Sequence, residues 1–361
     1  PGLTLGSGDA YLDRLGLDHD ERILLAGTEG ASGSRRGIVG RLLVNGSVDP
    51  TWAGSGFSVL DQRTDMRVTD LVALPDGGAL VCGNYRGTTA SRSWAFVARF
   101  QAGGQLDPTF AAASGTPGIY FAEPPGFDDF SCDALELMGD GRVVVAGGSL
   151  IAAQQRTQPA LLRLTSTGEL DSSFAFGGYV RFNVDGDRSA VEALVEQPAL
   201  GLLVFLVDRF NLRWRLIRLR NDGSLDETFI FRAGLWRSYS EAWLSSNALG
   251  VLPDSSMRLM WPDEDPTDQM ETNVHHWLAN GATGPITPFI LEPPGANDDL
   301  FSNGIVAGPD GRMVILGRHD IAPDNCRRQH GFLHLARRLP NGGPDTSFGS
   351  NGQHSRFPLT P

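Results

Sequence analysis

The sequence contains no lysine; its 30 basic residues are all arginine. That excludes a lysine nucleophile, a Schiff base and a phosphate loop ending on lysine. Cysteine is scarce. Cys82, Cys132 and Cys326 are odd in number and far apart, so neither a disulfide framework nor a CxxC metal pair is expected. Cys82 stands where a sister segment has Ala146, and reads as a small core residue. Long apolar runs are missing too. The longest, Leu200 to Val207, falls far short of the ~20 residues that span a bilayer. No Gly-x-Ser-x-Gly, no HExxH and no glycine-rich phosphate loop leading into a helix occurs. With a net charge of −12, the chain has little cation to spare for phosphates, which argues against a nucleic-acid partner. What it does have is turn formers, with 45 Gly and 22 Pro set between alternating apolar stretches.

Those turns repeat. The segment LTSTGELDSSFAFGGYVRF (164–182) is one of six copies, aligned on Gly46, Gly104, Gly168, Gly223, Gly281 and Gly342 at intervals of 55 to 64 residues. Such a period marks a propeller, solenoid or array. Three residues after each glycine comes Asp49, Asp107, Asp171, Asp226, Gly284 or Asp345, and then an aromatic: Trp52, Phe110, Phe174, Phe229, Phe289 or Phe348. Five residues before it comes Arg41, Arg99, Arg163, Arg218, His276 or Arg337, with Arg338 as an alternative register in the last copy. The Asp is expected to fix the turn through backbone N–H groups. The aromatic is expected to pack between neighbouring repeats. The Arg is read as a brace on the Asp or a carbonyl, the alternative being a ring of binding side chains. Upstream, each copy has a hairpin closing on glycine or its equivalent, as in LVALPDGGALVCG (71–83), LELMGDGRVVVAG (135–147) and IVAGPDGRMVILG (305–317).

The joint pattern Arg-Leu…Asp-Gly-Ser-Leu-Asp-x-Thr-Phe at 218–229, with the Pro-Asp-Gly hairpins at 75–77 and 309–311, resembles the delta-60 repeat family, a bacterial propeller-type repeat. The resemblance covers nearly the whole chain and implies architecture, without a particular activity. The expectation is all-β, a single six-bladed β-propeller of four-stranded repeats at 1–62, 63–124, 125–184, 185–240, 241–293 and 294–361. Either each blade is continuous in sequence, or Gln353–Phe357 joins the first repeat to close the ring. The connections from second to third strand, and from fourth strand to the next first strand, share one face. Their length makes it the expected working face.

Four sets of residues are candidates. EPPGFDDFSCD (123–133) echoes EPPGANDDLFSN (292–303), placing Asp128, Asp129, Asp298 and Asp299 at the channel mouth with Asp65 nearby. Such carboxylates suit Ca²⁺ or general acid–base glycoside chemistry, unless each merely caps its own loop. The first strands carry a polar residue at Asp13, Thr69, Asp133, Glu192, Asn247 and Asn303, either a binding ring or a wetted channel wall. Arg35, Arg36, Arg86, Arg318, Arg327 and Arg328 form a patch for an anionic glycan or partner, unless they are ordinary solvated charges. Cys326, His330, His334, His319 and Asp320 have only loosely metal-like spacing, and no metal is assigned. The expected role is a non-catalytic, monomeric binding or scaffold module of a bacterial extracellular or periplasmic protein, taking a protein or glycan. The alternatives are a glycoside hydrolase, lyase or esterase, and a structural spacer.

Overall fold

The computed structural model describes residues 10–87, 92–154, 156–182, 189–208, 213–229, 232–235, 249–264, 270–282, 284, 289–291, 299–308, 310–321, 329–349 and 353–358. Among these, every regular element is a strand except a 3-10 turn at Ala152–Gln154. Packing divides the chain into two compact units, Pro1–Val191 and Glu192–Pro361.

The first unit holds three four-stranded antiparallel sheets. They are β1 (Ala10–Leu17) to β4 (Phe57–Leu60) through β2 (Ile23–Glu29) and β3 (Arg36–Leu42); β5 (Arg67–Ala73) to β8 (Ile119–Ala122) through β6 (Ala79–Arg86) and β7 (Ser93–Phe100); and β9 (Ala134–Leu137) to β12 (Tyr179–Arg181) through β10 (Val143–Ile151) and β11 (Arg156–Leu164). The second unit holds three more, and its first strand spans the unit boundary. They are β13 (Ser189–Gln197), β14 (Gly201–Asp208), β15 (Arg213–Leu219), β16 (Arg232–Leu235); β17 (Leu249–Val251), β18 (Met257–Glu264), β19 (Met270–Trp277), β20 (Phe289–Leu291); and β21 (Asp299–Ala307), β22 (Met313–Ile321), β23 (Gln329–Arg338), β24 (Gln353–Pro358). Strand order follows the chain in every sheet, so the four-strand repeat stands. Gln353–Phe357 completes its own sheet by pairing with β23. Two of the long second-to-third connections are shorter than the sequence suggests, because β10 and β11 run on to Ile151 and Arg156, and β18 and β19 to Glu264 and Met270.

The middle sheet of the first unit shows why its strands read as apolar runs. Val81, Cys82, Ala95, Phe96, Val97 and Ala98 are all fully buried, as expected of a sheet covered on both faces. The Pro-Asp-Gly hairpin between β5 and β6 closes by Leu74 and Gly77–Gly78 backbone bonds, and Asp76 accepts the Gly78 N–H at 2.9 Å. Looser copies keep the left-handed turn residue without glycine, at Glu21 (φ 59°), Ala199 (φ 62°) and Ser255 (φ 62°). Each such residue costs about 1–2 kcal/mol of backbone strain.

The closing glycine of the hairpin has a separate cause. The first strand bulges opposite it: pairing skips between Leu12 and Arg14, between Val68 and Asp70, and between Ser302 and Gly304. The bulge drives the Arg67 carbonyl towards Gly83, where a Cβ would lie 1.9 Å from that oxygen. Only glycine permits that approach. The skipped residues are Asp13, Thr69 and Asn303, three of the polar first-strand positions picked out in the sequence.

The repeated Arg is a brace. Arg41 Nε donates to Asp49 at 2.7 Å, and Arg163, Arg218 and Arg337 do the same to Asp171, Asp226 and Asp345, each at 2.8 Å. Arg99 pairs with Asp107 at 3.2 Å. The bond from Arg337 fixes the register of the last copy. The second Asp oxygen accepts the hydroxyl and N–H of the residue two on, as Thr228 does for Asp226 at 2.7 and 3.0 Å. The guanidinium also lies over the turn aromatic, at 4.9 Å for Arg41 on Trp52 and 4.5 Å for Arg163 on Phe174. In the fifth copy the Gly284 N–H still donates to the His276 carbonyl at 3.1 Å, and the imidazole occupies the space where a Cβ would stand.

These turns dock on one another within a unit. Trp52 lies against Gly104 and the Ala53 N–H donates to the Gly103 carbonyl at 2.7 Å; Phe110 and Ala111 repeat this on Gly168 and Thr167. Gly104 (φ +81°) answers two demands, since a Cβ there would lie 2.8 Å from the Trp52 ring. The expected inter-repeat role of the aromatics holds for these two rings, and Phe174 and Phe229 are buried as expected.

Acid should loosen this scheme. The Thr228 hydroxyl, against burial and together with Arg218, holds Asp226 down at about 2. In Asp49 and Asp171 burial pushes the carboxyl up, and the hydroxyl, N–H and guanidinium outweigh it. A carboxyl held low in the fold stabilises it above the unfolded value near 4, and the contribution fades as pH falls towards 2. Urea midpoints should therefore drop steeply between pH 5 and pH 2. The drop should be shallower in Asp226→Asn, and an equal drop in the two would show that Asp226 does not titrate this way.

The cysteines correct the sequence reading. Cys82 on β6 and Cys132 in the link entering β9 form a disulfide, with Cα atoms 6.2 Å apart. Asn84 presents Cys132 to its partner, accepting its N–H at 2.8 Å and donating to its carbonyl at 3.1 Å. The pairing was hidden because the partners lie 50 residues apart, on adjoining sheets.

Candidate ligand cavity in the first unit

A cavity of about 580 Å³ opens among four chain segments of the first unit. They are Gly33–Arg35 between β2 and β3, Asp61–Asp65 between β4 and β5, Tyr85–Gly87 at the end of β6, and Glu123 after β8. Second-to-third and fourth-to-first connections do share a face here, as the repeat pattern implies. The cavity unites residues that the sequence reading placed in separate sets: Arg35 and Arg86 from the basic patch, and Asp65 from the carboxylates.

Asp65 is its keystone. It adopts φ 57°, and one oxygen accepts the Gly33 and Arg35 N–H groups at 3.0 and 3.3 Å. The other oxygen accepts Arg86 at 3.1 Å. Burial pushes this carboxyl up, but the two N–H donors and the charges of Arg35 and Arg86 bring it below its ordinary value. Asp65 thus holds the β2–β3 loop and the end of β6 in one geometry. Also in the lining, the buried Tyr85 donates its hydroxyl to Glu123 at 2.6 Å, and burial with that carboxylate pushes the phenol up. The Arg63 guanidinium lies over Phe121, 4.3 Å from the ring centre. Arg63, Tyr85 and Glu123 were missed by sequence reasoning. They fall at different offsets in their repeats, and no spacing signal joins them. Arg36 points elsewhere and pairs with Glu29.

The carboxylates of the Glu-Pro-Pro-Gly segment are occupied by their own fold. Asp128 accepts the Ala152 N–H at 2.9 Å, with Arg92 at 3.5 Å, and Asp129 accepts the Leu150 N–H at 2.5 Å. Burial pushes Asp129 up, against that donor. Phe127 stacks edge-on to Tyr179 at 5.2 Å and lies beneath the Arg181 guanidinium at 4.1 Å. The segment is therefore a strap from β8 over the third sheet, ending in the Trp94–Phe130 bridge. In its echo, residues 292–298, with Asp298, lie outside the described residues; Asp299 opens β21, and its side chain is not described.

Polar first-strand residues make structural ties instead. Thr69 donates to the Cys132 carbonyl at 2.8 Å, across two sheets, while the Asp133 N–H extends the β9–β10 ladder by donating to the Ala146 carbonyl at 2.8 Å. Asp70, beside the bulge, accepts Arg14 at 3.1 Å and the Leu135 N–H at 2.8 Å, joining all three sheets of the unit. Asn303 and Arg318 lie on β21 and β22, while Arg327, Arg328 and Cys326 fall outside the described residues. Among the described residues no three His, Cys, Asp or Glu side chains gather as a metal site, and no helix is long and apolar enough to cross a membrane.

Three segments, 20–51, 139–174 and 210–229, match a family described as a domain of unknown function (DUF5122) beta-propeller. With the repeated four-stranded sheets, this makes the chain an all-β protein of propeller-repeat class. No curated protein matches the sequence. Among solved structures, puromycin hydrolase is 13% identical with a TM-score of 0.47, covering 91% of this chain and 53% of its own. The chain thus spans about half the length of that enzyme. A protein of unknown function from Dyadobacter fermentans is 11% identical (TM-score 0.49, covering 89% and 94%). The beta-propeller domain of the Trilobed protease from Pyrococcus furiosus is 10% identical (TM-score 0.34, covering 91% and 94%).

Proposed function

We propose that the six sheets are the blades of one six-bladed propeller, and that the protein is a non-catalytic binding module whose long-loop face takes a glycan. The observation that carries this reading is the cavity itself. A rigid, hydrogen-bonded frame on Asp65 presents polar side chains from two sheets to a space of the size that small ligands occupy. The disulfide supports an exported, oxidising setting for the protein, extracellular or periplasmic. Solution scattering should fit a closed disc, and a profile of two separated lobes would end the six-bladed reading.

The binding reading is tested by probing an array of immobilised neutral and acidic glycans with the full chain and with Arg86→Ala, both checked by melting. The parent should be retained on a subset of glycans, and Arg86→Ala should lose that retention while still folded. Retention of neither protein, or of both alike, would remove the cavity from consideration. One observation favours a second reading, an enzyme: Asp129 sits beside Asp128 with its carboxyl pushed up. Turnover of a glycan or ester by the parent that Asp129→Asn abolishes would replace the binding module with that enzyme.

A further inference from the structure

We infer that the cavity selects a sugar bearing a single carboxylate, a uronate, with the anion seated between Arg35 and Arg63. The inference rests on the binding-module reading and narrows it to a chemical class. It follows from which charges around the cavity are already used. Asp65 has both oxygens engaged, one by two backbone N–H groups and the other by Arg86. Glu123 accepts the Tyr85 hydroxyl. Arg86 is held by Asp65. The charged side chains that remain open are Arg35, Arg63 and the exposed carboxylate Asp61. The half-buried Arg35 side chain makes no hydrogen bond or close ion pair among the described residues, although its charge acts on Asp65. Arg63 donates only a long 3.3 Å bond to the Gln62 carbonyl.

Arg63 is also preorganised. Its guanidinium carbon lies 4.3 Å from the Phe121 ring centre, a cation–π contact that steadies the head over the ring. A planar guanidinium edge matches a carboxylate through two parallel bonds. The chain as a whole carries a net charge of −12, which makes two uncommitted arginines in one cavity a local exception. The remaining lining suits hydroxyls: Asp61, Gln62, Thr64 and the outer oxygen of Glu123 accept hydrogen bonds. A ligand with one anion and several hydroxyls satisfies both sets. An acidic peptide would set further carboxylates against Asp61 and Glu123 and bring few hydroxyls.

The test is calorimetric titration of the full chain with a galacturonate trisaccharide, its methyl ester, neutral maltotriose and hexaglutamate. The acidic trisaccharide should bind, weakening as salt rises, and the ester and maltotriose should bind at least about tenfold more weakly. Arg35→Gln and Arg63→Gln should each weaken the acidic trisaccharide by about tenfold or more. Arg36→Gln, on the Glu29 pair outside the cavity, should leave it unchanged. Equal binding of maltotriose or the ester would overturn the uronate inference and leave the glycan-binding reading standing. Tighter binding of hexaglutamate would overturn it in favour of an acidic peptide. Binding of the acidic trisaccharide that survives both arginine variants would place it elsewhere and overturn the assignment to this cavity. Failure of every sugar to bind would sink both readings together.

Discussion

Replacing Cys82 and Cys132 together by alanine is expected to lower the unfolding free energy by about 4 kcal/mol. The bond closes a loop of 50 residues, and restricting an unfolded loop of that length is worth about 4 kcal/mol at 25 °C in the chain-entropy account. Both cysteines are fully buried, so reductant should act slowly on the native protein and quickly once it opens. Denaturant titration with and without reductant measures the difference, and the double variant should be insensitive to reductant. A thiol count in denaturant without reductant is the sharpest check. It should find one free thiol, that of Cys326. Three would mean that the bond does not form.

Trp52→Ala should cost about 3–5 kcal/mol, the range for truncating a large buried aromatic. The ring is fully buried. Its Nε1–H donates to the Val39 carbonyl at 3.2 Å, Arg41 covers one face, and the next turn presses on it through Gly104. Truncation would open a cavity, remove the indole bond to the Val39 carbonyl and take away the surface on which Arg41 rests. Trp52→Phe should recover most of the loss, because the ring contact with Gly104 survives. Gly104→Ala reports on the same joint from its other side and should also destabilise, since a methyl there meets the indole. Equilibrium unfolding of the three variants decides it. A loss below about 1 kcal/mol for Trp52→Ala would show that the turns stack without depending on the ring.

The repeat was legible because it is local. An Asp three residues after a turn glycine, an Arg five before it and an aromatic soon after all lie within one strand-turn-strand unit, so their spacing shows in the chain. The structure turned that spacing into a brace, Arg218 to Asp226 at 2.8 Å, and explained the fifth copy, where the imidazole of His276 fills the room left by Gly284. The closing glycine of each hairpin was legible as a landmark but not as a cause. Its cause is a bulge on another strand that brings a carbonyl to within 1.9 Å of where the Gly83 Cβ would be.

The candidate site was only partly legible. Asp65, Arg35 and Arg86 were singled out separately, for reasons of composition and loop position. The pair Asp128 and Asp129 belongs to the clearest echo in the chain, and in the structure it caps the Leu150 and Ala152 amides. An echo records a shared structural need as readily as a shared ligand.

What the sequence determined by itself was the unit: four strands, their order, and the turn chemistry that repeats every sixty or so residues. These follow from hydrogen bonds and periodicities between residues close in the chain. Only the tertiary structure decided that Cys82 bonds Cys132, that Trp52 rests on Gly104, and that Arg35, Arg63 and Arg86 face one cavity with Asp65. Apart from Arg63, two residues from Asp65, those partners come together from about 20 to 50 residues apart in the chain. Nothing in either partner's local pattern encodes the other, because packing brings them together and the repeat fixes only where each one stands.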